Sequence, residues 1–190
     1  RRRGYPAEAI RAFCREVGTT RTNSRKAIEE LESYVRRKLN ATAQRRMAVT
    51  RPLKLTLLDW PTGPDGDPLV EWFEVVNNPE NPADGTRLVP FTGELWIEQD
   101  DFREVPPPKY FRLSPGREVR LRGSYLVTAR DVVKDEAGNI VEVRCSFDPE
   151  SRGGTPADGR KVKSTMHWVS APHALDATVA LYDRLFTAEA

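Results

Sequence analysis

The chain has 190 residues, 38% hydrophobic and 31% charged, with 30 Lys and Arg against 28 Asp and Glu and a formal net charge of +2. That length suits one ordinary domain or two small ones with real cores, and 15 Pro with 12 Gly favour a mixed or β-rich fold over a helical bundle. No apolar run is long enough to span a membrane or to follow Arg1-Arg2-Arg3-Gly4 as a signal peptide, so the expectation is a soluble, cytoplasmic protein.

Cys14 and Cys145 are too few and too far apart for a disulfide framework or a metal site, and both are expected to be reduced, buried small hydrophobes. The chain opens on arginine, as a piece of a longer protein would. The near-neutral total hides an asymmetry: residues 1–51 carry 14 basic against 5 acidic side chains, and residues 52–190 carry 16 against 23. A basic part beside an acidic remainder suits a partner rich in phosphate, although charged helix surfaces are ordinarily just solvated.

In chain order, Ile10, Phe13, Cys14 and Val17 fall at helical spacing between Pro6 and Gly18, which predicts a short amphipathic helix over 5–17. A second helix is predicted after Ser24 as its cap, with Ile28, Leu31, Val35 and Leu39 on one stripe. Arg36, Arg37 and Lys38 then fall near its end, where cations suit the helix dipole. Past Arg45 and Arg46 the period becomes two: Leu53, Leu55 and Leu57 alternate with Lys54 and Thr56 as in a half-buried strand. Val75 and Val76 lead into a loop over 77–82, 95–97 forms another strand, and Pro106, Pro107 and Pro108 forbid a regular helix or a central strand. The clearest hairpin joins 125–133 to 140–147, with Val141, Val143, Cys145 and Phe147 on the buried face. The tetrad Pro-Ala-Asp-Gly occurs at 82–85 and at 156–159, followed by Arg87 and by Arg160, Lys161 and Lys163. It reads either as an echo of two related barrels or as a coincidence of common turn residues. The Gly- and Pro-rich loop over 149–159 is the candidate boundary within the β region.

No catalytic constellation is present. His167 and His173 lack metal spacing, Ser170 lacks a nucleophile elbow, and Gly153-Gly154 has no P-loop lysine or helix. The arginines say more. In the run 118–122, period two puts Val119 and Leu121 on one face and Arg120 and Arg122 on the other, roughly 6.6 Å apart. A guanidinium grips a phosphate or base edge with two prongs. Upstream, Lys109-Tyr110-Phe111-Arg112 interleaves cations with aromatics, the combination that holds splayed single-stranded bases. The competing reading is a solvated strand face with Tyr110 and Phe111 in the core.

One further set of blocks is distinctive: Arg1-Arg2-Arg3-Gly4-Tyr5, Arg46-Met47-Ala48-Val49, Val89-Pro90-Phe91, Asp101-Phe102-Arg103-Glu104, Glu118-Val119-Arg120-Leu121-Arg122, Pro156-Ala157-Asp158-Gly159-Arg160-Lys161-Val162-Lys163, His167-Trp168-Val169-Ser170 and Leu181-Tyr182-Asp183-Arg184-Leu185-Phe186. In this order, over essentially the whole chain, they resemble the carboxy-terminal, tRNA-binding half of the class I glutaminyl-tRNA synthetase family.

The resemblance implies an α+β, mainly β chain: a helical subdomain over 1–43, an anticodon-binding antiparallel β-barrel over 44–150, and the start of a second barrel over 151–190, incomplete because the family's barrels continue past the position of Ala190. It implies binding of tRNA(Gln) by a monomer with no membrane partner, within an enzyme that joins glutamine to tRNA with ATP. The catalytic Rossmann domain, with ATP and Mg2+, lies outside this chain, which needs no cofactor of its own and should not aminoacylate alone. By family position, Arg45 contacts the second anticodon base, Arg112 the third and Arg120 the first, with Asn40 and Arg122 close to the anticodon stem and loop. Lys109 and Tyr110 join that set, while Arg36, Arg37, Lys38, Lys161 and Lys163 are expected on the tRNA backbone. Lys109 and Phe111 stand where some relatives have glutamine and lysine, and Glu80 where some have asparagine. The alternatives are the archaeal and eukaryotic type of glutamyl-tRNA synthetase, which shares this β half, a stand-alone RNA-binding β-barrel, and a protein-interaction module with solvated arginines.

Overall fold

In the computed structural model, which describes residues 2–19 and 21–183, the helical and the alternating stretches fall into separate units. One comprises Arg1–Arg45, Val76–Thr86 and Thr178–Ala190; the other comprises Arg46–Val75 and Arg87–Ala177. The family-like block over 181–186 lies outside the described residues beyond Asp183.

In the first unit, α1 (Ala7–Val17) ends where the Gly18 N–H closes on the Cys14 carbonyl at 3.1 Å. Its partner α2 (Ile28–Thr42) meets it through Phe13 edge-on to Tyr34, centroids 5.8 Å apart, and through an ion pair between Lys38 and Glu8. Three expectations are corrected. Ala27, not Ser24, precedes the first turn of α2. The helix also runs to Thr42, so Arg36, Arg37 and Lys38 sit in its body, no basic residue occupies its last turn, and the dipole does not account for them. Cys14 is exposed, because two helices alone leave part of each apolar stripe uncovered. The segment 76–86 covers the end of α2: the buried Asn78 amide donates to the Ala41 carbonyl at 3.1 Å, and the Arg45 N–H donates to the Asn77 carbonyl at 2.6 Å.

The second unit is β. Leu53, Leu55 and Leu57 of β1 (Pro52–Leu57) are buried as their alternation requires. A two-stranded sheet pairs β2 (Glu71–Val76) with β3 (Thr86–Phe91). The larger sheet adds β4 (Glu94–Glu98), β5 (Glu118–Leu121), the hairpin β6 (Leu126–Lys134) with β7 (Ile140–Asp148), and the two-residue strands β8 (Thr165–Met166) and β9 (Val169–Ser170). Its order is β8-β5-β6-β7-β1-β4-β9. Because β8 and β9 are joined by only His167 and Trp168, the two edges lie within about 11 Å, whereas a flat sheet of this many strands would separate them by roughly 29 Å. The sheet is therefore strongly curled, and Trp168, fully buried, fills it. Around Trp168 lies an aromatic cluster of Trp60, Phe73, Phe91, Tyr125 and Phe147. Cys145 is buried within the core, and desolvation pushes its thiol up to about 12. Val141 departs from its predicted face and is 45% exposed, since it lies beside the turn that closes the hairpin, where the β6–β7 register shifts between Val133 and Lys134. Both Pro-Ala-Asp-Gly tetrads form the same turn, with Gly85 N–H to Pro82 O at 3.1 Å and Gly159 N–H to Pro156 O at 3.2 Å.

Glu98 pins the entry to β1. Its carboxylate accepts from the Thr50 N–H (2.7 Å), the Thr50 hydroxyl (2.9 Å) and the Arg51 N–H (3.1 Å). Burial works to raise its pKa, but these bonds outweigh it and the net shift is downward. The ionised form is thus favoured in the folded state, and its contribution is present above the ordinary glutamate value of about 4.3 and lost as pH falls through the lower folded value. Glu98→Gln should cost about 1 to 2 kcal/mol at pH 7. Urea unfolding should show that difference shrinking below about pH 4; a pH-independent difference would contradict the assignment.

Candidate nucleic-acid interface

Two cations in the β unit are aimed by β5. Val119 and Leu121 are fully buried, so Arg120 projects from the opposite face, and Arg122 follows just past the strand end, exposed. Parallel pairing with β8 fixes the backbone: Arg120 N–H donates to Ser164 O at 2.9 Å and Arg122 N–H to Met166 O at 2.8 Å. The Arg122 carbonyl accepts from the Trp168 indole at 3.0 Å. The Arg120 Nε–H donates to the Gly154 carbonyl. Gly154 has φ +85°, and a Cβ there would lie 3.0 Å from Arg120 Cδ, so only glycine lets the loop cradle this side chain. The sequence marked Gly153-Gly154 merely as a turn; its pairing with Arg120, 34 residues away, left no local signal.

The segment 109–113 forms a second group. A turn closes with Tyr110 N–H to Pro107 O at 3.2 Å and holds Lys109 at φ 65°. A non-glycine residue there stores strain on the order of 1 kcal/mol. Lys109 is exposed. Tyr110 is half-buried, its hydroxyl donating to the Asp100 carbonyl at 3.2 Å and its own carbonyl accepting from Arg117. Phe111 is 49% exposed, with the Lys163 ammonium 5.1 Å from its ring centroid, a cation–π contact. This contact joins 109–112 to the segment that leads into β8 and so to Arg120. The core placement weighed for Phe111 is thereby replaced by an exposed one. The Arg112 side chain is half exposed and bonds the buried carboxylate of Asp101, a partner the sequence did not suggest. Lys161 is exposed. Arg160 is held by Glu118, Asp148 and Asp158, and these hydrogen bonds raise its already high pKa.

In the helical unit, Arg45 closes the end of α2. Its guanidinium donates to the carbonyls of Ala43 (2.9 Å), Asn40 (3.2 Å) and Leu39 (3.4 Å), and reaches Asn40 Oδ1 at 3.4 Å. Arg36 is exposed, and Arg37 lies 4.6 Å over the Tyr34 ring.

His173 Nδ1 lies 2.9 Å from Ser170 Oγ, which meets Thr92 Oγ1 at 3.1 Å, a chain of hydroxyls joining β9 to the turn before β4. Among the described residues, no group of three or more His, Cys, Asp or Glu could hold a metal, and no helix is long and apolar enough to cross a membrane.

Residues 43–148 match the model of the family described as tRNA synthetases class I (E and Q), anti-codon binding domain, and residues 165–190 match a second model with the same description. The chain is 53% identical to the glutamine–tRNA ligase of Nitrobacter hamburgensis over 185 residues, 97% of this chain and 32% of that protein. It is 51% identical to that of Rhodopirellula baltica over 189 residues, 100% of this chain and 31% of that protein. With that of Aliivibrio fischeri the identity is 50% over 187 residues, 98% of this chain and 33% of that protein. The chain thus spans about a third of the length of these curated relatives. Arg120 on the outer face of β5 with Arg122 exposed just past it, a cation–aromatic segment joined to them through Phe111 and Lys163, and a family match across most of the β unit agree: the chain belongs to the anticodon-binding domain family of the class I (E and Q) tRNA synthetases.

Proposed function

We propose that this chain is the tRNA-binding part of a glutamine–tRNA ligase and that it holds the anticodon stem and loop of tRNA(Gln). The observation that carries this is near-50% identity, along the whole chain, to proteins of that name. In this reading Arg120 reads the first anticodon base, Arg45 the second and Arg112 the third. Asn40, Arg122, Lys109 and Tyr110 complete the contacts to the loop, and Arg36, Arg37, Lys38, Lys161 and Lys163 meet the backbone. The bonds that tie Arg45, Arg112 and Arg120 to protein acceptors support it, since a guanidinium held before binding loses less freedom on meeting a base. In this reading the strands of 44–150, with β8 and β9 as the edges of their larger sheet, form the first barrel, and the rest of 151–190 begins the second; separate family matches at 43–148 and 165–190 favour two such parts. Glutamine activation with ATP and Mg2+ belongs to a catalytic domain outside this chain, in a cytoplasmic enzyme.

A filter-binding titration with tRNA(Gln) at two salt concentrations tests the reading. Arg36→Gln should weaken binding equally for any anticodon and lower the salt slope by about one. Lys38→Gln should do less, because its ammonium is engaged by Glu8. A chain that binds no tRNA at either salt concentration would overturn it.

A further inference from the structure

We infer that Asp101 is a positioning residue whose buried carboxylate fixes the Arg112 guanidinium in the orientation that reads an anticodon base. This rests on the reading of Arg112 given above. Asp100 and Asp101 are neighbours with opposite fates: the Asp100 side chain is 59% exposed, whereas that of Asp101 is 4% exposed. The backbone sets the second of these positions. Leu113 N–H donates to Asp101 O at 3.0 Å and Arg103 N–H to Leu113 O at 3.1 Å, a two-bond clamp that holds residue 101 beside residue 113. Arg112 projects from that clamp and bonds Asp101 Oδ1. Asp101 Oδ2 is buried and has no hydrogen-bond partner among the described residues.

A fold that needed only a satisfied core would not place a carboxylate there, because an unpaired buried oxygen carries a penalty. The pair is also one-sided: the acid is buried, while half of the arginine faces solvent. With one Nη spent on Asp101, the remaining donors of the guanidinium are presented outward from a fixed anchor, as a ligand-binding side chain is held by its supporting partner. Burial raises the Asp101 pKa, and Arg112 and His167 pull it back, so Arg112 also supports the charge of its anchor.

The test is equilibrium binding of the 190-residue chain to tRNA(Gln) and to two altered forms, one changed at the third and one at the first anticodon base. Asp101→Asn should reduce third-base discrimination about tenfold and leave first-base discrimination, assigned to Arg120, unchanged. Adding it to Arg112→Ala should change discrimination no further. Asp101→Ser, smaller and also uncharged, should repeat the pattern if the asparagine variant folds poorly. Full third-base discrimination in Asp101→Asn, or equal loss at both bases, overturns the inference while leaving Arg112 as a reader. Unchanged third-base discrimination in Arg112→Ala instead overturns the reading on which it rests.

Discussion

Replacing Arg120 with alanine should remove about 1 to 3 kcal/mol of discrimination at the first anticodon base, roughly a 5- to 150-fold fall in the ratio of affinities for matched and first-base-altered tRNA. The backbone of β5 should not change, because residue 120 pairs with β8 through its N–H to Ser164, which alanine keeps. Only the guanidinium is lost. Its Nε is already committed to the Gly154 carbonyl, which leaves the Nη pair as the fork that can meet a base edge. Binding titrations with the two tRNAs read the effect directly. Equal weakening for both would make Arg120 a phosphate contact rather than a base reader.

Phe91→Ala should destabilise the β unit by about 3 to 5 kcal/mol. Phe91 is fully buried and touches the rings of Trp168 (4.8 Å), Trp60 (5.1 Å), Phe73 (5.6 Å) and Tyr125 (5.6 Å). Truncation leaves a void between the two-stranded sheet and the aromatic filling of the curled sheet. The damage should spread to recognition as well, because Trp168 sits between β8 and β9, and β8 sets the backbone of Arg120. Urea unfolding should show the loss, whereas Leu88→Ala on the same strand, 63% exposed, should change stability by no more than about 0.5 kcal/mol. Comparable effects for the two variants would contradict this view of the core.

Much of the β unit was legible because alternation is local. Leu53, Leu55 and Leu57, or Val119 and Leu121 against Arg120 and Arg122, declare their faces within a few residues. The closing strands β8 and β9 were not legible: each is two residues long, and its existence depends on partners distant in sequence. The end of α2 was missed because Asn40 and Thr42 are weak helix formers and no large apolar residue at 40–42 extends the stripe, yet the loop from 76 to 86 and Arg45 satisfy that end. The site was legible as residue types and hidden as geometry. The cation–aromatic run 109–112 was visible in the sequence, but the contact of Phe111 with Lys163, the cradle at Gly154 and the anchor at Asp101 join positions 11 to 52 residues apart. An acidic pair such as Asp100-Asp101 ordinarily reads as solvated surface, and only the Leu113 clamp buries one of the two.

In the proposed function, this chain recognises the glutamine anticodon through a few fixed arginines. The most direct measurement is the affinity of the unaltered 190-residue chain for tRNA(Gln) and for the same tRNA with its anticodon replaced, at two salt concentrations. Tighter binding of the matched tRNA, with both affinities falling as salt rises and the preference persisting, is the predicted result. Equal affinity for the two tRNAs would contradict it.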